Sequence, residues 1–440
     1  MKFTINRRFV ISLGLLCAGH AAFAALAQTA APSTIEIYGV FDIGIGHSTH
    51  SPSEDSYFPT GMTPLASRFG DHAVTGMLNG GLTPSRIGFR GTETLDNGLK
   101  AVFNLETAFQ PQHGTFANGL ASLQNNTAGN QTTVSGDSSL SNQLFNRAAN
   151  VGLTSDTWGS VLVGRNYTLG LETMIIYDPM DGSQVFSPFG YSGSYAGGGF
   201  TEGYRIDNSV RWKYVSKEQG WNAAVLYKFG GQSGSTSAQS VVQASAGYVN
   251  GPFGIQGTYS KSKDAFSAAS GATLGALNLT VADTTSYMIA AGYKWNGWNF
   301  RGGYEREKFD NPSNPGLDLG ITTVLGAPVA LVNVTAFTHQ RKYDVFFAGI
   351  NYDFTPAFVG KVAYYQINQN DYSNGGCITG INVASCGGKS RYYSLLGDYS
   401  MSRRTHLYAG YMFNRVAGGF ASGFLHNTNN LLGAGIRHSF

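Results

Sequence analysis

The feature that most limits what this chain can fold into is a period of two. Trp221, Ala223, Val225, Tyr227 and Phe229 share one face of a segment, and Asn222 and Lys228 share the other with Ala224 and Leu226. Phe253, Ile255, Gly257 and Tyr259 alternate with Gly254, Gln256, Thr258 and Ser260. Tyr287, Ile289, Ala291, Tyr293 and Trp295 alternate with Met288, Ala290, Gly292 and Lys294, and Val210, Trp212 and Tyr214 with Ser209, Arg211 and Lys213. Successive side chains of a strand point to opposite faces, so each segment reads as a strand with one apolar and one wet face. Small residues on the wet face are expected to leave an interior open. Aromatics near the segment ends suit the two edges of an apolar band.

The connectors alternate as strictly as the faces. Short ones are turn-like, including Asp96-Asn97-Gly98, Gln219-Gly220, Asn250-Gly251-Pro252, Asn296-Gly297 and Thr355-Pro356. Gly, Asn and Pro supply the backbone angles of tight hairpins. Between them lie long polar stretches at 49–82, 110–144, 168–206, 230–239, 264–283, 310–341, 372–390 and 417–429. Eight long loops and seven short turns give sixteen strands. The last, Asn430 to Phe440, ends on the side where the first begins, so it can pair with Thr34 to Ile45 and close a ring. Closure matters because an open edge cannot be hydrated inside lipid. The expected fold is therefore all-β: a transmembrane antiparallel β-barrel of sixteen strands, with short periplasmic turns and long extracellular loops.

The amino-terminal residues and the composition agree with this. Lys2, Arg7 and Arg8 precede an apolar run from Phe9 to Phe23, followed by the small-x-small sites Ala22-Phe23-Ala24 and Ala25-Leu26-Ala27. That is the pattern of a secretory signal peptide over 1–27, cleaved after Ala24 or Ala27, with the barrel occupying 28–440. Removing Lys2, Arg7 and Arg8 leaves 26 basic against 26 acidic side chains, and no basic footprint for nucleic acid. Gly numbers 59 and charged residues only 12% of the chain, against a usual ~7% and ~25%. Beyond the leader no apolar stretch is long enough for a spanning helix. The nearest, Ile321 to Phe337, is broken by Gly326, Pro328 and Asn333, and a hairpin above the membrane is one reading of it. Cys377 and Cys386 share one loop, and an oxidising compartment favours a local disulfide.

Several stretches resemble the Gram-negative general porin family, in its trimeric proteobacterial branch. They are Ile37-Tyr38-Gly39-Val40-Phe41-Asp42; Ser85 to Glu93 with Gly98 to Glu106; Phe145-Asn146-Arg147 through Val151-Gly152-Leu153 with Val163-Gly164-Arg165; Asp207 to Trp212; and Ile436 to Phe440. The resemblance implies a homotrimer in the outer membrane and a third loop, 168–206, folded into the pore. It also implies that the terminal Phe440 is read by the barrel-assembly machinery. The function implied is passive diffusion of small hydrophilic solutes and ions. A substrate-specific channel, or an adhesin or receptor barrel, is the alternative. Aromatics placed mostly on the lipid face favour the general channel over one with a greasy slide.

A pore needs fixed charge at a narrow zone, not a nucleophile. Alternation turns Arg86 and Arg90 away from Ile87 and Phe89, and Arg211 and Lys213 away from Trp212, hence inward. Arg147 and Arg165 lie near strand ends, where a bulge would turn them inward. For those two the family, which places such arginines at the constriction, carries the assignment against an interfacial role beside lipopolysaccharide phosphates. Arg205 joins the basic set. Glu172, Asp178, Asp181 and Glu202 are the acids of the third loop. A basic cluster of Arg86, Arg147 and Arg205 facing Asp178 and Asp181 predicts mild anion preference. No cofactor or metal is expected. The histidines from His47 to His438 fall mostly in loops or at strand ends, without a helical His-x-x-x-His pair or Cys/His metal spacing, so no catalytic set stands out.

Overall fold

Asn296 and Gly297 both take positive φ, 46° and 83°. Two such residues in a row form the turn whose twist matches paired strands, and Trp295 faces Trp298 across it. In the computed structural model of the protein this hairpin is one of a series around a closed antiparallel sheet. The structure describes residues 2–3, 33–51, 72–112, 114–116, 144–191, 205–216, 218–231, 233–238, 240–263, 267–268, 279–280, 283–310, 313, 323–324, 327–328, 339–373, 377, 385–422 and 425–440. Apart from Lys2 and Phe3, the leader lies outside the described residues, as does Glu202.

The barrel strands are β1 (Ser33–Ser51), β2 (His72–Asn79), β3 (Arg86–Thr94), β4 (Lys100–Gln110), β5 (Ala148–Ser155), β6 (Gly159–Tyr167), β7 (Arg205–Val215), β8 (Trp221–Lys228) and β9 (Val241–Asn250). They continue with β10 (Phe253–Ser262), β11 (Asp283–Trp295), β12 (Trp298–Asp310), β13 (Arg341–Thr355), β14 (Phe358–Gln369), β15 (Gly388–Ser400), β16 (Thr405–Gly418) and β17 (Thr428–Ser439). Both β2 and β3 pair with β1, so they are halves of one stave interrupted at 80–85. That leaves sixteen staves, and β17 closes the ring on β1 from Ser48↔Leu431 to Val40↔Ser439. The first long loop is thus shorter than the expected 49–82. Residues 72–79 are strand, because alternation there continues past a break that reads in sequence as loop.

The alternation sorts residues as expected on the outside. Tyr287, Ile289, Tyr293 and Trp295 are exposed on the outer wall while Met288 and Ala290 are buried within. At the short-turn end aromatics stack into a girdle, Trp298 on Tyr352 at 4.3 Å and Phe354 on Phe358 at 5.6 Å. Among the described residues no helix is long and apolar enough to cross a membrane.

The inside departs from the expectation of a lumen left open by small residues. Tyr343, Phe347, Tyr365, Tyr392 and Tyr408 point inward and are buried. They pack with residues of the third loop into one apolar cluster. The glycines of the inner wall seat that loop: a Cβ on Gly254 would stand 2.8 Å from the Tyr177 hydroxyl, and one on Gly410 2.9 Å from the Phe186 ring.

The break at 80–85 is held by a buried carboxylate. Asp42 accepts from the backbone N–H groups of Gly81, Leu82 and Thr83 at 3.0, 3.0 and 2.9 Å, and from the Tyr408 hydroxyl at 2.7 Å. Those amides have left the sheet ladder, and an unpaired buried N–H is costly. At the seam, Phe440 and Gly39 exchange backbone bonds of 3.1 Å, and the Phe440 ring lies over Gly39, where a Cβ would collide with it. Cys377 and Cys386 are disulfide-bonded, with Cα atoms 5.7 Å apart. In the sixth loop Thr323–Val324 pairs with Ala327–Pro328; most of Ile321 to Phe337 lies outside the described residues.

Candidate functional site

The third loop begins with a helix, α1 (Leu169–Tyr177), which the alternation pattern does not signal. The Thr168 hydroxyl caps it, accepting from Leu171 N at 3.2 Å. Glu172 sits in its first turn, where a negative charge suits the helix dipole. One face of α1 docks on the wall: Leu169 N donates to Gln243 Oε1 at 2.9 Å and Thr173 meets the Thr258 hydroxyl at 2.7 Å. The chain then turns through Asp181 and Gly182, both at positive φ. Ser183 Oγ and Val185 N both donate to the Gly81 carbonyl, at 2.8 and 3.2 Å. The loop is thereby tied to the interrupted stave. Phe189 closes the attachment edge-on against Phe347 and Tyr365, at 5.0 and 5.4 Å.

Between this loop and the opposite wall lies a cavity of about 490 Å³. Three carboxylates line it among the described residues: Glu106, Glu172 and Asp181. Each is flanked by two cations. Arg147 Nε donates to Glu106 at 2.6 Å and Arg86 Nε stands 3.6 Å from it. Glu172 pairs with Arg211 and with Lys213, the latter at 2.9 Å. Asp181 pairs with Arg301 and with Lys361, the latter at 2.5 Å. The Tyr167 and Tyr38 hydroxyls also donate to Glu106. The guanidinium groups of Arg147 and Arg205 each lie over the Tyr167 ring, 5.8 and 5.1 Å from its centre. Burial works to raise the Asp181 carboxyl, but Lys361 and Arg301 outweigh it and hold it below the ordinary carboxylate range.

Of the residues singled out in the sequence, Arg86, Arg147, Arg205, Glu172 and Asp181 meet at this cavity. Four others, Arg90, Arg165, Asp178 and Arg211, do not line it. Arg90 points inward but away from the neck, paired with Glu36 at 3.0 Å and stacked over Tyr38 at 4.9 Å. Arg165, beside the register shift between Gly164 and Asn166, is buried in the wall. It donates to the Asn146 carbonyl at 2.8 Å and to Asp207 at 2.6 Å. Asp178 does not face the basic cluster: it is fully buried behind the loop, bonded by the Tyr365 hydroxyl at 2.5 Å and Gly182 N at 2.6 Å. Burial pushes its carboxyl up to about 6, against those bonds. Arg211 holds Glu172 from a buried position rather than presenting free charge.

Sequence reasoning misses Glu106, Tyr167, Arg301 and Lys361. Alternation carries a signal for three of them. With Phe103 and Leu105 outward, Glu106 must point inward, and with Val362 outward Lys361 must as well. Arg301 is likewise turned inward by the outward Trp298 and Phe300, whereas Tyr167, beyond the register shift at Gly164/Asn166, has no such signal. Among the described residues no group of three or more His, Cys, Asp or Glu is placed to hold a metal ion.

Comparison with known proteins supplies the context. A family model described as Gram-negative porin matches residues 13–419. An outer membrane porin protein of Bordetella pertussis is 26% identical over 433 residues, covering 96% of this chain and 97% of that protein. Outer membrane porin protein 32 of Delftia acidovorans is 26% identical over 250 residues, 56% of this chain and 57% of that one. Among solved structures, the anion-selective porin from Comamonas acidovorans superposes with a TM-score of 0.63 at 19% identity, over 93% of this chain and 100% of that one. The trimer form of OmpT from Vibrio cholerae superposes with a TM-score of 0.56 at 13% identity, over 93% and 99%.

Proposed function

The chain belongs to the Gram-negative porin family, and from that premise we propose that it works as an anion-preferring diffusion channel, assembled as a homotrimer. It is an outer-membrane porin, a passive channel for small hydrophilic solutes and ions. The observation that carries the anion preference is the double flanking of each carboxylate that lines the neck among the described residues. Among the described residues three acids line the neck against five cations, Arg86, Arg147, Arg205, Lys361 and Arg437, while Arg211, Lys213 and Arg301 pair with Glu172 and Asp181 from outside the lining. In a narrow aqueous zone walled by protein, fixed charges act at a lower effective dielectric than in bulk, so a local cationic excess attracts anions. The anion-selective porin from Comamonas acidovorans has the same architecture, which is consistent with this reading.

The remaining roles follow the same line. The leader over 1–27 exports the chain and is removed. Phe440, locked over Gly39 at the seam, is the group read by the barrel-assembly machinery. The outer wall meets lipid and lipopolysaccharide. The relatives are channel proteins rather than enzymes, and the chain is assigned no reaction of its own. The test is the zero-current potential of the purified protein in a planar bilayer under a KCl gradient. A potential of the sign set by chloride supports the proposal, and one set by potassium refutes it.

A further inference from the structure

The neck has two unlike walls. On the barrel side Arg86, Arg147 and Arg205 gather around Glu106 and Tyr167. On the loop side α1 offers apolar side chains to the same cavity. Its docked face is Leu169, Thr173 and Tyr177, spaced by four. Ile175 lies about 200° around the helix from Thr173, at ~100° per residue, and so faces the lumen. It lines the cavity and keeps 49% of its surface exposed. The loop's acids do not cover it, because Glu172 is drawn to Arg211 and Lys213 and Asp181 to Arg301 and Lys361.

Across from this apolar ledge stands an available donor. Arg86 Nη1 donates to Thr83 Oγ1 at 2.8 Å and to the Pro84 carbonyl at 3.2 Å, while Nε faces Glu106 at 3.6 Å. These contacts leave Nη2 without an acceptor among the described residues. Its side chain keeps 24% of its surface open, against 7% for Arg147. A guanidinium with spare donors takes a carboxylate in a directed, charge-assisted bond.

The geometry points to a neck that selects amphipathic anions: solutes with one carboxylate and an apolar ring or branched alkyl body. The carboxylate sits on Arg86 and the body covers Ile175. This rests on the anion-preferring channel reading and adds a class of solute to it. A hydroxylated body of the same size would keep the contact with Arg86 but lose water at Ile175 without gain.

The experiment compares two blockers of the chloride current through single trimers. Cyclohexanecarboxylate and quinate share the ring and the carboxylate, and quinate adds four hydroxyls. Cyclohexanecarboxylate is expected to half-block at the lower concentration. Ile175→Asn should narrow the gap about fourfold, the factor carried by shielding one methylene from water. Ile176→Asn, whose side chain does not line the cavity, should leave the gap as it is. Equal half-blocking concentrations in the unmodified protein, alongside an anion-signed zero-current potential, would overturn this inference alone. A cation-signed potential would overturn the channel reading beneath it. A gap that Ile175→Asn leaves unchanged would also overturn the assignment of Ile175.

Discussion

The seat of the third loop should respond to pH through Asp178. Its carboxyl is fully buried and pushed up to about 6 by that burial, from an ordinary 3.8. If the loop lifts off, the group returns to water and its ordinary value. The seated form therefore binds the proton more tightly, so seating is strongest below pH 3.8 and weakens as pH rises toward 6. About two pKa units at 1.36 kcal/mol each make the full loss about 3 kcal/mol, flat above pH ~6. Asp178→Asn removes the titration; its carbonyl can still accept from the Gly182 N–H while its amide faces the Tyr365 hydroxyl, so the loop should stay seated at every pH. The assay is amide hydrogen exchange of Gly182 to Ser187, corrected for intrinsic rates, between about pH 4 and 8. The native protein should lose protection over roughly pH 4–6, and the variant should show a flat profile. A flat profile in the native protein would refute the reasoning.

Other consequences are as direct. Asp42→Ala strands three backbone N–H groups and the Tyr408 hydroxyl, and should destabilise the barrel by about 3 kcal/mol or more, read as an earlier loss of the folded band in urea-gradient electrophoresis. Deleting Phe440 removes the ring from Gly39 and should lower the amount of folded protein in the outer membrane; normal insertion at native expression would count against its role. Reducing the Cys377–Cys386 bond should cost no more than about 3 kcal/mol, because the loop it closes is short. Two free thiols in mass spectra of non-reduced protein would contradict the pairing.

The barrel is largely legible in the sequence, and the neck only partly. Period-two alternation is a local property, so Tyr287 and Met288 declare their faces without knowing what lies across the lumen. Stave count and closure follow from connector parity, which is also local. What alternation cannot say is what fills the inner face. Gly254, placed by alternation on the open wet face, is a socket for Tyr177, and Gly410 is one for Phe186. The inward aromatics from Tyr343 to Tyr408 pass unnoticed among outward ones, because alternation gives a face and not a partner. Asp178 shows the same limit. Loop acids read as water-facing, yet Asp178 is sealed under Tyr365 while Asp181, less than one helical turn further along the chain, opens to the pore. Alternation turns Arg90 inward and the bulge reading covers Arg165, but Glu36 and Asp207 absorb their charge, and cross-strand partners depend on register.

The central claim is that Arg86 and Arg147 outnumber Glu106 at a neck narrow enough for charge to sort ions. Replacing both arginines by Ser changes the local sum from one positive to one negative. The decisive measurement is the zero-current potential of the Arg86→Ser/Arg147→Ser protein against the native one, in trimers shown to be folded by heat-modifiable mobility. At about 0.1 M salt the Debye length is about 10 Å, and at ~1 M about 3 Å. The account predicts a shift toward cations at low salt that shrinks at high salt, and the opposite shift for Glu106→Gln. An unaltered potential at low salt in the double variant would contradict it and remove these arginines from the selectivity of the pore.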